Sequence, residues 1–94
     1  MPADFRRRKL TINGKPWSVR TFDGLVPPGE REAMYGLCDY TERVIWIRRQ
    51  QRDAELLDTL VHEVLHAVLP HLSERDVTTS ARTIAAALLA CGVV

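Results

Sequence analysis

The spacing of apolar residues changes near Asp53, and this change constrains the fold more than any other feature of the sequence. Before Asp53, apolar and polar residues alternate in short runs, which is the period of a β-strand with one buried face. After it, apolar residues recur at steps of three and four, the period of an amphipathic helix. A chain of 94 residues has room for one small core. The sequence therefore predicts an α+β fold, a sheet followed by helices, in a single domain over residues 1–94.

Two β-hairpins are predicted in the first half of the chain. The four strands are expected at residues 9–13, 17–22, 36–40 and 44–48. Asn13-Gly14 favours a tight turn between the first two because both residues tolerate a positive φ, and Lys15-Pro16 extends that turn. Residues 23–35 contain several Gly and Pro residues and are expected to form a loop. The pattern predicts a small, mostly antiparallel sheet of three to four strands.

Two helices are predicted in the second half. The apolar stripe of the first consists of Leu57, Leu60, Val61, Val64, Leu65 and Val68. Asp53 is its expected N-cap, and Pro70 is expected to end it. Ser73 is the expected N-cap of the second helix, and Gly92 is expected just beyond its C-terminal end. The apolar stripe of the second helix consists of Val77, Ala81, Ile84 and Leu88.

The first predicted helix contains His62-Glu63-Val64-Leu65-His66, an HExxH motif. Histidines four residues apart lie on the same helix face, one turn apart, so both imidazoles can bind one metal ion. Glu63 is placed beside them to take a proton from water that such an ion activates. The neighbouring positions Thr59 and Ala67 lack the charge of a typical solvated face. We therefore expect a metal site rather than two surface histidines.

A tetrahedral catalytic site needs a third protein ligand. Leu69 and Leu72 stand where metzincins carry Gly and His, which excludes that class of metallopeptidase. The candidates for the third ligand are His71, Glu74 and Asp76. Glu74 is favoured because it heads the apolar stripe expected to face the first helix, where a carboxylate needs a partner.

A peptidase also needs a group that stabilises the oxyanion and an edge strand that pairs with the substrate. Candidates for the first are Tyr40 and His71, followed by Tyr35 and Arg75. The candidate strand consists of Gly36, Leu37, Cys38 and Asp39, since a short strand that begins with Gly is typical of an edge near a ligand.

Two segments of the chain resemble small phage- and prophage-type zinc peptidase-like proteins of the gluzincin class. They are residues 57–67, Leu-Asp-Thr-Leu-Val-His-Glu-Val-Leu-His-Ala, and residues 70–74, Pro-His-Leu-Ser-Glu. Residues 13–17 and 36–39 are also similar to that group. The chain is more distantly similar to SprT-like and ImmA-type peptidase domains. The resemblance implies a minimal zincin-like domain with zinc held by His62, His66 and Glu74, and with Glu63 as general base.

Charge is distributed unevenly along the chain. Residues 1–52 contain eleven Lys and Arg against six Asp and Glu, whereas residues 53–94 contain two against six. The cluster Arg6-Arg7-Arg8 is typical of a solvated terminus, and contact with nucleic acid through it is the less favoured alternative.

Cys38 and Cys91 are too few for a disulfide framework and are expected to be buried, reduced thiols. The first residues lack the apolar core of a signal peptide, and no apolar stretch is long enough to span a bilayer. We expect a soluble, cytoplasmic protein without membrane contact.

Two functions follow from these patterns. The favoured one is a zinc-dependent metallopeptidase that hydrolyses peptides or proteins. The alternative is a catalytically weak or inactive binding module of phage or prophage origin that zinc stabilises.

Overall fold

The chain forms four strands followed by two helices, which confirms the predicted α+β order. A computed structural model describes residues 6–94. The strands are β1 (Arg7–Ile12), β2 (Lys15–Phe22), β3 (Gly36–Asp39) and β4 (Val44–Arg48), and the helices are α1 (Asp53–Val68) and α2 (Glu74–Ala90).

The four strands form one mixed sheet in the order β1-β2-β4-β3. The two predicted hairpins, β1–β2 and β3–β4, are antiparallel, whereas β2 and β4 run parallel and pair from Ser18 and Val44 onward. The parallel pair arises because the loop at 23–35 carries the chain past the position of β4 to the outside of the sheet. The chain then returns inward as β4. Strands β1 and β3 are therefore the two edges.

The turn of the first hairpin is shorter than predicted. Asn13 and Gly14 have φ values of 50° and 75°, as a two-residue type I′ turn requires. Strand β2 therefore begins at Lys15, and Pro16 lies within it opposite Thr11. The Asn13 side-chain amide also donates a hydrogen bond of 3.0 Å to the Val68 carbonyl. This bond connects the hairpin to the end of α1.

Helix α1 packs against one face of the sheet. The core between them consists of Ile12, Trp17, Val19, Ile45, Ile47, Leu56 and Ala67. Helix α2 packs on α1 and buries Val77, Ala81 and Ala85. The prediction of Ile84 in this stripe is wrong, since Ile84 is 40% exposed. The buried positions are instead four residues apart, as in a helix whose i±4 ridge packs against its neighbour.

The predicted helix ends are correct in three of four cases. Asp53 is the first helical residue rather than the N-cap, and the residue before it makes no side-chain capping bond. The Ser73 hydroxyl accepts a 3.1 Å hydrogen bond from the Asp76 N–H, which confirms it as N-cap. Helix α1 ends two residues before Pro70. Gly92, with φ 67°, follows the C-cap of α2 as predicted.

The prediction that both cysteines are buried is wrong for Cys91. Cys91 is the exposed C-cap of α2, beyond the part of the helix that packs on α1, and Cys38 is half-buried in β3. Both are free thiols. Among residues 6–94, neither helix is long and apolar enough to cross a membrane.

Candidate metal centre

Helices α1 and α2 bring together the two histidines of the HExxH motif and Glu74. The Nε2 atom of His62 lies 2.8 Å from one carboxylate oxygen of Glu74, and Nε2 of His66 lies 2.8 Å from the other. The two imidazole rings are 4.9 Å apart, centroid to centroid. Donor atoms of three residues thus come together between the helices.

This donor set fits zinc, which binds imidazole nitrogen and carboxylate oxygen at about 2.0–2.2 Å. Ligand atoms around a tetrahedral ion of that size are about 3.4 Å apart, so the donors have to separate by about 0.6 Å. The Glu74 side chain is 68% exposed and has space to make this adjustment. The sequence argument favoured Glu74 because a buried carboxylate needs a partner, and this exposure contradicts that reason. The Glu74 carboxylate nevertheless contacts both histidines.

Glu63 is the buried acid of the site, with only 8% of its surface exposed. Its donor atoms and those of His62 and His66 all lie within 4.8 Å of one another. Burial, and to a smaller extent the charge of Glu74, raises the pKa of Glu63 to about 7 in the metal-free protein. A carboxyl group with this pKa can both accept and release a proton near neutral pH.

Strand β3 passes directly over Glu63, and Gly36 makes this approach possible. A Cβ atom at Gly36 would lie 2.9 Å from Cγ of Glu63 and 2.8 Å from Cγ2 of Thr59. Gly36 therefore serves close packing of strand and helix rather than a turn. The prediction that Gly36–Asp39 forms an edge strand is confirmed, since β3 pairs with β4 alone.

A cleft of about 290 Å³ lies between β3 and the candidate metal ligands. Its walls are formed by Gly36, Leu37, Cys38, Tyr40, His62, Glu63, His66 and Glu74. All of these residues except Tyr40 belong to β3, to the HExxH motif on α1 or to α2. The cleft thus brings the candidate edge strand and the candidate metal ligands to one cavity.

Tyr40 lines this cleft, but its hydroxyl has a partner. It donates a hydrogen bond of 2.8 Å to the His66 carbonyl, and the ring packs edge-to-face on Trp17. Burial raises the pKa of Tyr40 to about 12. The hydroxyl therefore stays protonated and connects the end of β3 to the backbone of a candidate metal ligand.

The other candidates lie elsewhere. His71 is exposed in the turn between the helices and does not line the cleft. Asp76 and Arg75 border a separate cavity at the start of α2. The basic residues Arg6, Arg7 and Arg8 are exposed on or beside β1, at the sheet edge opposite β3.

Sequence reasoning assigned no role in the site to Asp58, Thr59 and Thr78, which line a second cavity that shares His62 and Glu63 with the cleft. Asp58 and Thr59 precede His62 by four and three residues, so helical periodicity places them on the histidine face. That spacing is the signal by which they could have been found. Thr78 lies on α2 and reaches the cavity only through the packing of the two helices.

Comparison with known proteins gave no match among protein-family models, curated proteins or solved structures. Functional inference for this chain therefore depends on the chemistry of the site itself.

Proposed function

We propose that the protein is a zinc-dependent metallopeptidase. The observation that supports this most directly is the position of Glu74, with one carboxylate oxygen 2.8 Å from Nε2 of each motif histidine. Two imidazoles and one carboxylate form the three-ligand set of a catalytic zinc site, in which the fourth position is left open. We propose His62, His66 and Glu74 as these ligands.

Zinc in such a site supplies Lewis acidity, which polarises a carbonyl and makes a water molecule more acidic. The role of Glu63 follows from its place beside the histidines. Its carboxylate accepts the proton of the attacking water and then delivers it to the leaving amine nitrogen. Burial of Glu63 strengthens its hydrogen bond to that water because bulk solvent does not compete.

The outer edge of β3 is the proposed binding place for the substrate. An edge strand presents unpaired backbone N–H and C=O groups, and an extended peptide pairs with them by strand addition. Because Gly36 lets β3 approach Glu63 closely, a peptide on that edge has its backbone next to the general base. We propose peptides or proteins as substrates and the cytoplasm as location.

One observation favours a second candidate function, a zinc-stabilised binding module with weak or no activity. The Tyr40 hydroxyl, the best placed candidate for oxyanion stabilisation, is bound to the His66 carbonyl. Without a free donor at that place, the energy of the tetrahedral transition state falls less than in an efficient hydrolase.

Zinc binding and hydrolysis together test both candidates. The purified chain is titrated with zinc by calorimetry, and the zinc-loaded protein is incubated with a mixed peptide library that is analysed by mass spectrometry. The Glu63→Gln variant is the matched control, since it keeps the ligands and the side-chain volume. We expect one zinc per chain in both proteins, and hydrolysis slower by about 10²–10⁴-fold in the variant.

The outcomes separate the two functions. Stoichiometric zinc without any cleavage supports the binding module and excludes the peptidase. Cleavage at equal rates by the natural protein and the Glu63→Gln variant excludes the general-base role of Glu63. Absence of zinc binding contradicts both functions.

A further inference from the structure

The second cavity adjoins the cleft on the side where α1 begins. It has a volume of about 250 Å³ and shares Gly36, His62 and Glu63 with the cleft. Its remaining walls are Tyr35, Asp58, Thr59 and Thr78. A further cavity of about 260 Å³ shares three of these residues, Tyr35, Asp58 and Thr59, and adds Gln51 and Glu55. A long side chain of a peptide lying on β3 therefore has space to enter beside the general base.

Apart from the imidazole of His62, the ionisable side chains that line this space are acidic. Asp58 and Glu63 line the inner cavity, Asp58 and Glu55 line the outer one, and no Lys or Arg among the described residues lines either. Asp58 is half-buried and has no hydrogen-bond or ion-pair partner among residues 6–94. A partly desolvated carboxylate without a partner is stabilised by a cation that donates hydrogen bonds to it.

One arginine contacts a wall of this space without lining it. The guanidinium of Arg48 lies 5.5 Å from the centroid of the Tyr35 ring, and Arg48 lines neither cavity. The Asp58 carboxylate is thus left for a group that enters from outside.

Resting on the proposed peptidase function, we propose that this cavity binds the lysine or arginine side chain of a substrate residue next to the scissile bond, and that Asp58 determines this specificity. The aliphatic part of the side chain contacts the methyl groups of Thr59 and Thr78. Its charged end pairs with Asp58. A glutamate side chain is repelled by the carboxylates, and an uncharged one leaves Asp58 desolvated and unpaired.

Matched peptides test this proposal. They differ only at one residue X, placed immediately before or immediately after a fixed peptide bond, with X as Lys, Arg, norleucine or Glu. Norleucine keeps the aliphatic stem of lysine and lacks its charge. Dissociation constants are measured by fluorescence anisotropy with the zinc-loaded Glu63→Gln variant, and rates of cleavage with Glu63 intact.

We expect Lys and Arg peptides, for one of the two positions of X, to bind about tenfold more tightly than the norleucine peptide. Asp58→Asn should reduce this preference to less than about threefold, and Asp58→Lys should reverse it in favour of Glu. The matched control is Glu32→Gln, which removes one exposed carboxylate from the loop at 23–35, outside both cavities. It should keep the full preference.

A preference for Lys and Arg that survives both Asp58 substitutions overturns the proposal, as does equal binding of all four peptides. Zinc stoichiometry and melting temperature of each variant show that it is folded. If the protein binds Lys and Arg peptides through Asp58 but cleaves none with Glu63 intact, the peptidase function fails and the specificity stands. If it cleaves all four peptides equally, the peptidase function stands and the specificity is wrong.

Discussion

Gly36 of β3 and Glu63 of α1 lie so close that a Cβ atom on Gly36 would be 2.9 Å from Cγ of Glu63 and 3.0 Å from its Oε2. The same Cβ would lie 2.8 Å from Cγ2 of Thr59, which is a neighbour on α1. The general base of the proposed reaction is therefore held between its own helix and the backbone of an edge strand.

Gly36→Ala should destabilise the protein by about 1–3 kcal/mol, the usual cost of forcing extra volume into a packed contact. Combining it with Thr59→Ser should recover part of this loss, because serine lacks the Cγ2 atom and keeps the hydroxyl that donates to Gln51. Urea denaturation of the two single variants and the double variant measures the effect. If Gly36→Ala is as stable as the natural protein, the close approach of β3 to α1 is wrong.

Glu74→Ala should weaken zinc binding by at least about tenfold, whereas His71→Ala should leave it unchanged, since His71 is exposed outside the cleft. Competition with a chelator of known affinity measures both constants. Weak binding in the His71 variant together with normal binding in the Glu74 variant would assign the third ligand to His71.

Glu63 should make the stability of the metal-free protein depend on pH. Burial, with a smaller effect of Glu74, raises its pKa from 4.5 to about 7, so between these values the folded state binds a proton that the unfolded state has released. The free energy of unfolding should therefore fall as the pH rises from 4.5 to 7, by about 2–3 kcal/mol for this group. Below pH 4.5 the stabilising contribution of the protonated Glu63 is fully present.

The Glu63→Gln variant isolates this contribution. It keeps the other titratable groups around the same cleft, which are Cys38, Tyr40, His62, His66 and Glu74. Urea denaturation with chelator at several pH values measures the free energy of unfolding of both proteins. The difference between them should change between pH 4.5 and 7. A difference that is independent of pH contradicts the burial of an unpaired Glu63.

Cys91 should react with iodoacetamide well before Cys38. Cys91 is exposed, whereas burial raises the pKa of the Cys38 thiol to about 11, so that less than about 1% of it is thiolate at pH 8. Mass spectrometry of peptides from a time course gives both rates. Equal rates would mean that β3 is not packed against α1 as described.

Tyr40→Phe should cost about 0.5–1.5 kcal/mol of stability, because it removes the hydrogen bond to the His66 carbonyl and keeps the ring on Trp17. Tyr35→Phe is the matched control, since the exposed Tyr35 hydroxyl has no partner among residues 6–94. Loss of hydrolysis in Tyr40→Phe without any loss of stability would instead assign the hydroxyl to the oxyanion.

Local signals predicted most of the fold. Asn13-Gly14 fixed the first turn, Ser73 and Gly92 marked the ends of α2, and the change of period at Asp53 separated sheet from helices. The parallel pairing of β2 with β4 could not be predicted, since it depends on where the loop at 23–35 carries the chain. Nor could the exposure of Ile84, which depends on the angle at which the helices cross.

The common face of the two motif histidines could be predicted from the sequence, whereas the walls of the cavities around them could not. The spacing of His62 and His66 determines their common face whatever the rest of the chain does. Glu74 contacts both histidines from an exposed position, so its place beside them does not depend on the burial from which the sequence argument started. The place of Thr78 beside Asp58 depends on helix packing, for which the sequence carries no comparable spacing rule.

The three proposed ligands lie within residues 62–74, on two helices that are consecutive in the chain. Closing so short a loop costs little conformational entropy, whereas pairing Ser18 with Val44 requires two distant parts of the chain to meet. Formation of the metal-binding geometry is therefore a local event in folding. A bound ion would restrain the α1–α2 hairpin directly, whereas its effect on the pairing of β2 with β4 would depend on how α1 packs against the sheet.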